Sequence, residues 1–140
     1  MKKAIIALAI IFLINIFSFN YDWYLKFFWF DMTLHLLGGF FVAMFMAYYL
    51  KNNLGESKLK NLLILIGVTV FVGVVWEFAE YIASQTLIEP IYNHFKVHAY
   101  FIGDLNDTIN DLVMDVFGAA TFSALHLFRR GKTHHIETNR

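Results

Sequence analysis

Apolar residues fall along this chain in four long runs, without the alternation of a sheet or the narrow stripe of a soluble helix. The runs cover about 4–19, 31–50, 62–82 and 104–128, and most approach the roughly 20 residues needed to cross about 30 Å of hydrocarbon. Turn residues separate the second and third runs in Lys51-Asn52-Asn53-Leu54-Gly55-Glu56-Ser57-Lys58. The first two are joined by 21–30, where Tyr21, Trp23, Tyr24, Phe27, Phe28 and Trp29 give the aromatic composition of a headgroup zone. A polar and aromatic loop containing Pro90 joins the last two. After the first run comes Ser18-Phe19-Asn20-Tyr21, without the small residues of a cleavage site, so an uncleaved membrane helix is expected. The pattern predicts an all-α polytopic membrane protein, a four-transmembrane-helix bundle forming a single domain over 1–140.

Charge placement orients the bundle. Lys2 and Lys3 precede the first run, Lys51, Lys58 and Lys60 separate the second from the third, and Arg129, Arg130, Lys132 and Arg140 follow the fourth. The opposite side carries Lys26 and Lys96. The positive-inside rule therefore puts both termini in the cytoplasm of a multi-pass cell-membrane protein. A hydrophobic content of 59% agrees with that setting, and a net charge of zero leaves no basic surface for nucleic acid. Cysteine is absent, which excludes thiolate ligands and thiol nucleophiles.

The acids carry the chemical information. Asp31 and His35 lie four residues apart near the start of the second run, Glu77 and Glu80 near the end of the third, and Asp104, Asp107, Asp111 and Asp115 in the fourth. Spacings of three and four keep each set on one helix face. With the helices alternating in direction, all three sets map to the outer leaflet. The inner stretches 38–50, 62–75 and 116–125 contain no Asp, Glu, Lys, Arg or His, so the expected site is one-sided. Solvated helix ends account for Asp31, Asp104 and Asp107 as well as a site does, because a helix N-terminus favours a carboxylate. Asp115 lies about 16 Å deeper than Asp104 along the axis. Glu77 and Glu80 sit at a helix C-terminus, which disfavours negative charge.

An ionised acid near the membrane centre costs about 2.5–3.5 kcal/mol, and His35 is the one intramembrane basic partner within reach. Protonation, a water-filled cavity or a bound cation would each relieve that cost. Carboxylates with one imidazole suit a divalent metal ion, without selecting among Mg, Mn, Fe and Zn. The expected metal set is Asp31, His35, Glu77, Glu80, Asp107, Asp111 and Asp115, with Glu80 or Asp107 as a catalytic general base. His94 and His98 would form an accessory pair only on a helix. Gly38-Gly39 and Gly118-Ala119-Ala120 suit close helix packing.

The ordered set Asp31-x-x-x-His35, Glu77-x-x-Glu80 and Asp111-x-x-x-Asp115-x-x-Gly118 resembles the VanZ-like family of small bacterial membrane proteins. This chain departs from that pattern with Glu80 in place of Gln, Asp115 in place of Asn, and no Arg before Asp111. The Gly103-Asp104-x-x-Asp107-Thr108-x-x-Asp111 run is closer to the uncharacterised inner-membrane family typified by YjdF. The resemblance implies a four- or five-helix membrane fold and a cell-envelope role, and it supplies no reaction.

Three functions fit these features: a metal-assisted enzyme acting on a lipid-linked or envelope phosphate substrate, a non-enzymatic ion-binding or transport protein, and a structural membrane protein. Topology is testable directly in this cysteine-free chain. A membrane-impermeant thiol reagent added to intact cells should label Asn93→Cys and spare Ser57→Cys; the opposite pattern reverses the orientation.

Overall fold

The computed structural model describes the backbone of 1–101 and 104–137 and, within it, every side chain except those of Asn20, Leu25 and 128–137. Gly103 and Arg140, invoked above, lie outside the described residues. The described residues are all-helical: α1 (Lys2–Tyr21), α2 (Trp23–Lys26), α3 (Phe30–Tyr49), α4 (Lys58–Thr86), α5 (Ile88–Phe95) and α6 (Leu105–Glu137). By length and composition, α1, α3 and α4 can each cross a membrane. The described part of α6, whose first turns carry Asp107, Asp111 and Asp115, is not in that group.

The helices outrun their apolar cores. At 29 residues, α4 is about 44 Å long, more than the roughly 30 Å of hydrocarbon it would have to cross. Its start is fixed locally, since the Ser57 hydroxyl accepts from the Lys60 amide at 3.4 Å. One turn on, the Asn61 side chain accepts from Gly55 N–H and donates to Gly55 C=O, tying the 51–57 loop to the helix. Asp22, in the left-handed region at φ 54°, ends α1 and starts α2, which turns the chain along the interface. The loop around Pro90 proves to be the helix α5, with Pro90 in its first turn, where no amide hydrogen is needed. None of its side chains is buried, as suits a helix lying flat at a membrane surface.

A repeat of four residues organises the interior. Buried positions at that spacing are His35, Gly39, Ala43 and Ala47 on α3, where Phe30 and Leu34 are buried too, and Asn61, Leu65, Thr69, Gly73 and Glu77 on α4, followed by Glu80. On α6 they include Asp111, Asp115, Ala119 and Ser123. Large apolar side chains such as Leu63, Phe71, Phe78 and Phe117 point outward. This inverts a soluble core, because lipid is as apolar as leucine and association depends on close packing of small residues.

The tightest packing is between α3 and α6. A Cβ added at Gly39 would strike the backbone of Asp115, and one at Gly118 would strike the backbone of Leu36, Gly39 and Phe40. Below this crossing Ala43, Ala47, Leu54, Leu65, Ala119 and Phe122 form a dry apolar core, with Phe40 and Phe122 meeting edge-to-face at 5.4 Å.

Gly118→Ala should therefore destabilise the protein by about 1–3 kcal/mol, because backbone cannot move aside as a side-chain tip can. Gly67→Ala, with open space at its Cβ, should be neutral or stabilising by up to about 1 kcal/mol. Melting temperatures of the two purified variants check the contrast, and equal behaviour would contradict the α3–α6 contact.

Candidate functional site

Above the dry core the inward stripe turns from small to polar, and its side chains converge on one imidazole. His35 lies two turns above Ala43, so the close approach that Gly39 permits brings α6 carboxylates against its ring. On the Nε2 side, Asp31 Oδ1 stands at 3.9 Å and Glu77 Oε1 at 3.6 Å. On the Nδ1 side, Asp115 Oδ2 stands at 3.4 Å. His35, Glu77, Glu80, Asp111 and Asp115 are buried and Asp31 is half-buried. Three helices thus deliver five carboxylates around one histidine.

Gly73 makes room for the deepest of them. A Cβ there would overlap Asp115 Oδ2, so any other residue on α4 would push that carboxylate off the imidazole. The second Glu77 oxygen is held from α6, where the Thr108 hydroxyl donates to Oε2 at 2.9 Å. The first oxygen has no hydrogen-bond partner, nor have Asp31 Oδ1 and Asp111 Oδ1, and all three are buried.

Those orphaned atoms have a common direction. Asp31 Oδ1 and Glu77 Oε1 are the same atoms that face His35 Nε2. A spacing of 3.6–3.9 Å is too long for a hydrogen bond. It matches two ligands on a shared ion: with bonds of about 2.1 Å and tetrahedral angles, donor atoms lie about 3.4 Å apart. Two overlapping sets have ligand atoms within 4.8 Å of one another, Asp31–His35–Asp111 and His35–Glu77–Glu80, and His35 belongs to both.

The remaining expected residues separate. Asp115 lies in neither set and faces the other ring nitrogen. Asp107 is half-buried and also lies in neither set. Asp104 caps α6, accepting from the amides of Asn106 and Asp107 at 2.8 and 3.1 Å, so helix capping accounts for it. His94 sits on α5 with its Nδ1 3.0 Å from Pro90 C=O, whereas His98 lies beyond the helix with its ring 4.8 Å from that of Tyr92. They do not form the helical pair that an accessory site requires.

Two contributors escaped the reading of the acids. Thr108 was recoverable from spacing, since it precedes Asp111 by three residues on one face. Tyr24 was not, because its contacts depend on the turn at Asp22. Asn15 of α1 donates to its hydroxyl at 2.7 Å. Burial, and then the Asp31 carboxylate, push this phenol above its ordinary pKa. Asn15 thereby ties α1 to the rim of the site.

On the described geometry, the cluster can bind a divalent cation, or share protons among its carboxylates. Comparisons with known proteins address the chain as a whole. The model of the family described as Predicted membrane protein (DUF2238) matches residues 2–132. An uncharacterized protein of Thermotoga maritima is 31% identical over 106 residues, which cover 74% of this chain and 50% of that relative. The chain thus spans about half the length of the curated relative it matches. No solved structure matches.

Thr108→Val should cost about 1–3 kcal/mol by leaving the Glu77 carboxylate without its donor, and Thr108→Ser should restore most of it. Thermal unfolding in detergent measures both. An unchanged melting temperature for Thr108→Val would show that Glu77 does not depend on α6.

Proposed function

The chain belongs to the DUF2238 family of predicted membrane proteins, and from that premise we propose that it uses the His35 cluster to hold a divalent cation at the outer leaflet of the cell membrane. The observation that carries this reading is the pair of orphaned oxygens, Asp31 Oδ1 and Glu77 Oε1, aimed at His35 Nε2 at ion-sharing distance. A protonated His35 would offset one carboxylate and leave four others uncompensated. Lys and Arg are absent from 27–50, 61–95 and 97–128, so no side chain of those stretches can take its place.

The bundle has four membrane helices in this reading, α1, α3, α4 and α6, with both termini cytoplasmic. Support for α6 as the fourth is its packing: Gly118, Ala119 and Phe122 run along α3, and a partner so closely apposed to a span shares its depth. Asp31, His35, Glu77, Glu80 and Asp111 are the ligands. Asp115 accepts from the Nδ1 hydrogen and orients the ring from behind, as outer-shell carboxylates do at metal-bound histidines.

The reaction class that suits such an ion is metal-assisted attack on a phosphate-bearing lipid or envelope precursor, the ion neutralising phosphate charge and lowering the pKa of water. Asp107, outside both ligand sets, is then the general base, or Glu80 where it leaves the ion to the other ligands. The envelope setting is drawn from the resemblance to VanZ-like proteins. A second reading, ion binding without turnover, draws on the dry core of Ala43, Ala47, Leu65, Ala119 and Phe122 beneath the cluster. That core carries no charged side chain among the described residues onward from the cluster, which disfavours transport through a single subunit.

Wild-type protein grown in metal-replete medium should carry bound divalent metal and melt at lower temperature in EDTA. Glu77→Gln should lose both the metal and the response to chelator. Asp115→Asn should keep the ion with affinity lowered about 10–100-fold, as expected of an orienting residue. A metal-free wild type that melts identically in EDTA would sink the reading.

A further inference from the structure

Beside the cluster, a cavity of about 300 Å³ opens between α1, α3 and α4, with Asp115 of α6 at its wall. It exists because α1 packs on α3 but not closely on α4. Across the gap the rings of Phe12 and Trp76 meet edge-to-face at 6.1 Å. Both helices are long and apolar enough to cross a membrane, so the gap between them lies at hydrocarbon depth.

The cleft is graded along its length. Asn15, Asp31 and His35 line its outer end, whereas Leu8, Val42 and Val72 line the deeper part together with Thr69. From Asp31 to Val42 is about 16 Å along α3. At about 30 Å³ per water-sized group, the volume accommodates roughly ten such groups in a row. A slot of that size, lined mainly by apolar side chains and carrying Asn15, Asp31, His35 and Asp115 at the level of the cluster, has the shape of one acyl segment.

Gly38 separates this cleft from the helix packing beside it. Its neighbour Gly39 is required by the backbone of Asp115, but a Cβ at Gly38 meets nothing within 4 Å and points into the cavity it lines. The Gly38-Gly39 pair, expected from sequence to serve helix packing alone, therefore divides into one packing glycine and one that keeps the slot clear.

We propose that the cleft between α1, α3 and α4 takes one acyl chain of a bilayer lipid from the side, past Phe12 and Trp76, and sets the attached headgroup beside His35. The chain-binding part stands on the cleft alone, and the role of the headgroup rests on the ion reading above. A substrate would then be a lipid that never leaves the outer leaflet.

The test reconstitutes the full chain in nanodiscs of phosphatidylglycerol and phosphatidylethanolamine containing a phospholipid with a tail diazirine. Photolysis should concentrate label on Ile11, Phe12, Val42 and Trp76. Gly38→Leu should lower labelling there about tenfold, the loss of roughly two buried methylenes, while melting temperature and bound metal stay as in wild type. Should Gly38→Leu fold poorly, Phe12→Ala decides, since it widens the entrance and should raise labelling of Val42. Label spread evenly over outward residues such as Phe71 and Phe78, and indifferent to both variants, would overturn the proposal. A metal-free protein whose cleft labelling still responds to Gly38→Leu would keep the acyl site and remove the ion. A metal-bearing protein with even labelling would do the reverse.

Discussion

Everything distinctive in this molecule depends on placing carboxylates around one imidazole inside a membrane. Each buried acid costs about 2.5–3.5 kcal/mol if ionised and alone, so His35, Asp31, Glu77, Glu80, Asp111 and Asp115 are tolerable only as a compensated group. Compensation requires that α3, α4 and α6 arrive at one level with their side chains aimed inward. Gly39, Gly73 and Gly118 provide that geometry, the first and last by letting α3 and α6 backbones touch, and Gly73 by leaving space for the Asp115 side chain.

The bundle divides by depth into two regimes. On the side away from His35, small residues, Leu65 and Phe122 close the space between helices, with Asn61, Thr69 and Ser123 buried among them. In the outer half, the same fourfold stripe carries acids. This division lets the lower part act as a rigid clamp, so the upper carboxylates hold their spacing with few hydrogen bonds among themselves. Thr108 to Glu77 and the His35–Asp115 contact are the side-chain links between helices at this level, and the orphaned oxygens remain free to serve a ligand.

The first helix stands apart from that clamp. It leans on α3, is tied at its outer end by Asn15 to Tyr24, and leaves a sideways opening toward α4. An apolar cleft beside a polar cluster is a physically coherent pairing, because the two ends of an amphiphile need those two environments at adjacent depths.

Sequence alone determined the all-helical membrane class of this protein and the residues of its acidic cluster. Apolar runs of membrane length fixed the helices, and spacings of three and four put Asp31 with His35, Glu77 with Glu80, and Asp111 with Asp115 on shared faces, since helical periodicity is a local property. The charge-free stretches 38–50, 62–75 and 116–125 likewise confined the acids to one end of each apolar run. Only the tertiary structure decided which members meet. It drew Glu77 and Asp111 to His35, put Asp115 on the opposite ring nitrogen, left Asp107 at the margin, and assigned Asp104 to a cap. It also turned the Pro90 loop into α5 and gave adjacent glycines different roles. These outcomes depend on how helices rotate and cross, and that is set by backbone contacts between residues such as Gly39 and Asp115, 76 positions apart, which no periodicity within one helix encodes.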